Sequence, residues 1–139
     1  MKILDFCVSP DGDDAADGSA HRPFATLARA RDAAREAKGG TSKRILLEGG
    51  DYYEVALTLG PKDAGLTIEA APGEPSVLHG GRLVEGWEPD GDRFWSAELP
   101  GVAEGEWDFR ALIVEGQMRP RARLPKEGRL EHTDEFKVR

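Results

Sequence analysis

Between Thr26 and Lys38 this chain carries a helical period, and after Gly40 no second good helix appears. Leu27, Ala30, Ala34 and Ala37 fall on one face of a helix, while Arg29, Asp32, Arg35 and Glu36 point elsewhere. Thr26 suits the N-cap, because its hydroxyl can accept a bond from an unpaired N–H of the first turn. Gly39-Gly40 is expected to end the helix by allowing a left-handed turn. The face to be buried is narrow and mostly alanine, so the helix can lie close against a flat surface.

Everything else reads as short strands and turns. Ile3 to Val8 precedes the helix. After it come Arg44 to Glu48, then Leu57 and Leu59 about Thr58, then Leu66, Ile68 and Ala70 alternating with Thr67 and Glu69. That alternation marks a strand with one buried face. Ser76 to His79, Arg82 to Trp87, Phe94 to Glu98 and Phe109 to Glu115 are further candidates. Turn clusters separate them at Glu48-Gly49-Gly50-Asp51, Pro72-Gly73-Glu74-Pro75, Gly80-Gly81 and Asp90-Gly91-Asp92. The pattern leaves a β-sandwich, a β-barrel and a β-helix open. A single helix ahead of the strands favours the solenoid, because it can cover an open coil end. Ile45 and Thr67, 22 residues apart, fit one coil.

The length of 139 residues suits one domain, and 39% apolar residues suffice for a modest core. A net charge of −7 argues against nucleic acid or an acidic membrane as partner. The charge is uneven: Glu85 to Asp108 holds eight acids and one base, and Arg110 to Arg129 holds six bases and two acids. Cys7, the single cysteine, lies among apolar neighbours and reads as a buried thiol. No run is long enough to cross a membrane. Met1 to Asp5 lacks the apolar core of a signal peptide, so either the chain is cytoplasmic as it stands or a signal was removed before this numbering begins, and the localisation stays open.

Several runs carry a resemblance. Phe6-Cys7-Val8-Ser9-Pro10-Asp11-Gly12-Asp13-Asp14, Asp17-Gly18-Ser19 and Pro23-Phe24-Ala25-Thr26-Leu27 with Ala30 resemble the opening of right-handed parallel β-helix proteins of the pectin-lyase-like group. Leu47-Glu48-Gly49-Gly50-Asp51-Tyr52-Tyr53 looks like that group's first coil turn. Asp63-Ala64-Gly65, Pro72 to Pro75 and Val77-Leu78-His79-Gly80-Gly81 look like its next coil. Phe109 to Gly116 with Arg121-Ala122-Arg123-Leu124-Pro125 is similar to a segment of large bacterial members that degrade plant cell-wall sugars. The fold class implied is all-β with one N-terminal capping α-helix, the first coils of a right-handed parallel β-helix, and a small inserted β subdomain. Within a single domain 1–139, residues 1–40 would hold the strand, Asp/Gly loop and capping helix. Residues 41–81 would form the first coils, and 82–139 a β extension or insert with an Arg-rich tail. The resembling proteins are often secreted, and they include glycoside hydrolases and polysaccharide lyases. Their catalytic residues tend to lie on later coils, so none is carried over, and the chain alone is expected to be inactive. A non-catalytic carbohydrate-binding or structural module is the alternative. An uncovered coil end near Phe109 to Val114 would either favour self-association or be protected by the Arg-rich tail.

Two groups of residues are candidate sites. Arg119, Arg121 and Arg123 alternate along an extended stretch, so they share a side, and a guanidinium suits a uronate carboxylate; ion pairing with the acidic stretch is the structural alternative. Trp107 can stack on a sugar face, whereas Trp87 and Trp95 read as packing residues. Asp11, Asp13, Asp14 and Asp17 offer oxygens of the kind calcium takes, and otherwise read as a turn held by side-chain caps. No cofactor is required by any other pattern. His21, His79 and His132 show no ligand spacing.

Overall fold

A computed structural model describes residues 3–38, 42–73, 75–125 and 127–129. The chain divides into two compact units, Met1–Glu85 and Gly86–Arg139. Gly39-Gly40 and His132 lie outside the described residues.

The first unit is built on parallel strands. Strand β1 (Ile3–Val8), helix α1 (Leu27–Glu36), β2 (Ser42–Leu47), β3 (Gly50–Tyr52), a single helical turn Pro61–Asp63, β4 (Leu66–Ala70) and β5 (Ser76–Leu78) follow in chain order. Strands β1, β2 and β4 form one parallel sheet in that order, and β3 pairs in parallel with β5. Register aligns Phe6 with Ile45 and Ile45 with Ile68, so the residue expected at Thr67 is displaced by one. Alternation then turns Phe6, Val8, Ile45 and Leu47 to one face. There they bury against Leu27, Ala30 and Ala34, with Ala37 packed beside them. Alanine on the helix lets it approach the sheet closely. On the opposite face Arg44 forks onto Asp5 at 2.9 Å through both Nε and Nη2, and its Nη1 reaches Glu69 at 2.9 Å. The Asp5 carboxyl is held below its usual value chiefly by that hydrogen bond.

The loop from Ser9 to Phe24 is part of the core. Phe24 is fully buried, 1% exposed. Its N–H donates to the Cys7 carbonyl at 2.9 Å and its carbonyl accepts from Ser9 at 2.9 Å, so it lies along the edge of β1. Two glycines let the loop close on it. A Cβ on Gly12 would stand 2.1 Å from the Phe24 carbonyl oxygen. Gly18, at φ +77, would place one 2.2 Å from the ring. Cys7 is buried in the same region, and burial raises its thiol pKa.

The helix is also tied to the loop after β3. Arg35 forks onto Asp63 through Nε and Nη2, both at 2.7 Å, and Gly60 N–H donates to the same carboxylate at 2.7 Å. The Asp63 side chain is only 4% exposed. Its carboxyl is pulled down to about 2, first by the Arg35 hydrogen bonds and then by the Gly60 N–H.

The second unit holds two antiparallel hairpins, β6 (Glu88–Asp90) with β7 (Phe94–Ser96) and β8 (Leu112–Val114) with β9 (Gln117–Arg119). Glu115 and Gly116, at φ 52 and φ 72, form the two-residue turn between β8 and β9.

These observations correct the expected fold class. The described chain is mixed α/β, not an all-β solenoid start. The helix is no lid on a coil end: it lies in the connection between parallel strands β1 and β2, where a crossover of a dozen or more residues is obligatory. Its apolar face belongs on the flat sheet. Parallel pairing stops at three strands and one further pair, and among the described residues no stacked coils follow. The run expected to form a last coil, Phe109 to Val114, instead enters a hairpin because Glu115-Gly116 reverses it. Self-association through an uncovered coil end therefore loses its premise. Arg82 to Trp87 and Leu57 to Leu59 are not strands, while β3, β6 and β9 form where turns or no strand were expected.

Two predictions follow from the packing. Phe24→Ala should lower the unfolding free energy by about 3–5 kcal/mol, as for other large buried aromatics. Gly12→Ala should cost about 2 kcal/mol or more, because the clash is with backbone. Denaturant titration checks both, and losses below about 1 kcal/mol would contradict the packing. For Asp63 the folded pKa is depressed, so its contribution is present above the unfolded value of 3.8 and lost as pH falls toward about 2. The stability difference between the wild type and Asp63→Asn should be full near neutral pH and shrink through that acid window. A pH-independent difference would contradict the ion-pair assignment.

Candidate functional site

The parallel pair β3–β5 places its side chains before any ligand is considered. Asp51 faces Val77 and Tyr52 faces Leu78, so Tyr53 and His79 come next, side by side. Tyr52 turns inward, 6% exposed, and its hydroxyl lies 3.0 Å from the Val8 carbonyl and 2.8 Å from that of Glu48. Burial pushes its pKa up to about 12. Asp51 and Tyr53, on either side of it, turn outward. The Tyr53 and His79 rings stack with centroids 4.6 Å apart and planes 11° from parallel. The Asp51 carboxylate meets His79 Nε2 at 2.6 Å.

Backbone bonds fix this group. His79 N–H donates to the Tyr52 carbonyl at 2.8 Å, and the His79 carbonyl accepts from Val55 at 3.0 Å. Glu54 sits at φ 54, a left-handed conformation that costs a non-glycine residue roughly 1 kcal/mol or more. Its N–H donates to Gly81, and its carboxylate pairs with the Arg82 guanidinium. This turn sends Val55 and Leu57 back to the core while Tyr53 stays outside.

Segment 51–57 and the residues at the start of α1 line an open cleft of about 370 Å³. Ala25, Leu27, Ala28 and Ala56 are among its apolar lining residues. Asp51 and Glu54 are the charged residues in its lining, and both are acidic. The cleft therefore offers an aromatic ring and carboxylate acceptors, a set suited to hydroxyl-rich ligands. Asp5, Asp17 and Asp63 all have carboxyl pKa values shifted downward by hydrogen-bond partners, the direction opposite to that of a general acid.

The residues singled out from sequence lie elsewhere. Trp107, half-buried in the second unit, donates from Nε1 to the Pro100 carbonyl at 2.8 Å and tilts against Phe109. Trp87 and Trp95 are 44% and 64% exposed, more than the packing role expected of them. Arg119 reaches the Val114 carbonyl at 3.5 Å, while Arg123 donates to Pro125 and Gly128 at 3.0 and 2.7 Å. Arg121 is exposed. In the first unit Asp13 and Asp17 accept from the N–H two residues on, at 2.9 and 3.0 Å, and Asp11 is exposed. Asp14 binds the Ala25 and Thr26 N–H groups at 2.9 Å and the Thr26 hydroxyl at 2.8 Å. Thr26 in turn caps the helix through the Arg29 N–H at 3.1 Å. Among the described residues no group of three or more His, Cys, Asp or Glu is placed to hold a metal ion. No described helix is long and apolar enough to cross a membrane. Asp51, Tyr53 and His79 were not singled out as a site by sequence reasoning, since only the pairing of β3 with β5 joins them.

No family model matches this chain, and no curated protein matches it. Among solved structures, one described as "Glycoside hydrolase" superposes with a TM-score of 0.72 at 33% identity, over 89% of this chain and 22% of that one. Another, "The complex structure of XylC with xylose", gives a TM-score of 0.49 at 24% identity, over 75% of this chain and 16% of that one; a likeness at that level carries no argument. The chain thus resembles one part of a glycoside hydrolase and spans about a fifth of that protein's length.

Asp14→Ala should lower stability by about 1–2 kcal/mol, the cost of removing a charged cap. The loss should be the same with calcium or a chelator present. A calcium-dependent melting temperature in the wild type that disappears in Asp14→Ala would show that the loop binds the ion.

Proposed function

We propose that this chain is a segment of a larger glycoside hydrolase acting on a plant-type polysaccharide, and that the catalytic carboxylates come from outside it. The likeness to part of a glycoside hydrolase carries this reading, at an identity above that of a shared fold alone. It also favours hydrolysis over the eliminative cleavage of a lyase. Hydrolysis needs two carboxyl groups held on either side of one bond, one of them able to donate a proton. The acids with shifted pKa values here are locked into ion pairs or turn bonds, which favour the ionised form.

A non-catalytic carbohydrate-binding module is the second reading. The exposed Tyr53 ring beside the cleft favours it, because aromatic faces stack on sugar rings whether or not a bond is cut.

Release of reducing ends from xylan, arabinan, galactan and pectin tests the proposal. The isolated chain should release none. A longer product of the same gene containing this segment should release them without the ultraviolet absorbance of an unsaturated uronate. Turnover by the isolated chain would place the catalytic pair within it, and unsaturated products would replace the hydrolase by a lyase.

A further inference from the structure

We infer that the cleft beside Tyr53 is a binding subsite for neutral pyranose units, with Tyr53 as its stacking face and His79 and Asp51 as positioning residues. The inference rests on the carbohydrate reading above and goes on to specify which sugars the segment takes.

Three observations converge on the same few residues. First, Tyr53 lines a concave space while 41% of its surface stays open. A ring placed there is available to an incoming ligand, not consumed by the core. Second, the ring is held before binding. His79 stacks on one side of it, Asp51 fixes the imidazole, and the His79 backbone is bonded on both sides to the chain that carries Tyr53. A side chain already ordered loses little freedom when a ligand arrives, and this is how preorganisation raises affinity. Third, a non-glycine residue, Glu54, is kept in a left-handed conformation right after Tyr53. Such conformations persist where the surroundings impose them, and they gather at ligand-binding positions.

The charges select the ligand class. Asp51 and Glu54 are the charged residues of the lining, and the Arg82 guanidinium beside them is engaged by Glu54. A sugar hydroxyl can donate to either carboxylate. A uronate would bring its own carboxylate against Asp51, with the Glu54 charge already balanced by Arg82, and like charges brought together oppose binding. Neutral chains fit, and acidic chains do not.

Calorimetric titration of the 139-residue chain tests this with cellohexaose, xylohexaose and hexagalacturonate as probes. At least one neutral hexamer should bind, and hexagalacturonate should bind about tenfold more weakly or not at all. Tyr53→Ala should weaken the neutral hexamer about tenfold, the size expected for losing one aromatic stack, with an unchanged melting temperature. His79→Ala should weaken it less, and His79→Phe should restore it by replacing the stacked ring. Preference for hexagalacturonate, equal binding by Tyr53→Ala, or no binding of either neutral hexamer up to about 10 mM would overturn the subsite. The cleavage assay decides the enzyme reading separately. A longer product that cleaves polysaccharide while Tyr53→Ala leaves hexamer binding intact would remove the subsite alone. A longer product that cleaves nothing, while the hexamer still binds through Tyr53, would remove the hydrolase and leave the binding module.

Discussion

The burial of Phe24 is the constraint on which the first unit depends. Its side chain lies in the core with Val8, Leu27 and Ile45, and its backbone bonds on both sides to the edge of β1. One residue thereby closes the Asp/Gly loop, lines the sheet edge and sets the start of α1 three residues later. Asp14 completes the arrangement by reaching back from the loop to Ala25 and Thr26. Asp13 and Asp17 hold local turn N–H groups, and with Asp14 they make this loop a structural arm. Gly12 and Gly18 are needed because a side chain there would occupy the space of Phe24. The Arg29 guanidinium, 4.8 Å from the ring centroid, covers it from the helix side.

From that anchor the rest of the unit is placed in turn. The helix lies on the sheet through alanines, the Arg35–Asp63 fork ties its far end to the turn after β3, and Tyr52 bonds to carbonyls at the ends of β1 and β2. With Tyr52 buried, strand alternation obliges Asp51 and Tyr53 to face out. The candidate site is thus a consequence of core packing. The inward anchor of one residue positions the outward chemistry of its two neighbours, and parallel pairing with β5 supplies the histidine that steadies the ring.

Much of this unit was legible in the sequence. The helix face at Leu27, Ala30, Ala34 and Ala37, the Thr26 cap, the buried Cys7 and the strands around Phe6, Ile45 and Ile68 all follow from local periodicity and capping chemistry. What failed was long-range. Whether a helix covers a coil end or a sheet face depends on which strands it connects, and periodicity carries no such information. Glu115-Gly116 reads equally as a strand end and as a hairpin turn until both residues are seen with positive φ. The site was missed for a related reason. Asp51 and Tyr53 sit 28 and 26 positions before His79, and nothing between them marks a pairing. Arg119, Arg121 and Arg123 stand out through a visible alternation, and Arg119 and Arg123 donate to nearby carbonyls.

With Phe24 buried and bonded along β1, the loop from Ser9 to Phe24 belongs to the same cooperative unit as the parallel sheet. Amide hydrogen exchange measures this residue by residue. The N–H groups of Cys7, Ser9 and Phe24, which bond within the arm and along β1, should exchange as slowly as those of Ile45 and Leu47 in β2. Exchange of Ser9 and Phe24 at the rate of an open loop, with β2 still protected, would show that the loop opens independently of the sheet.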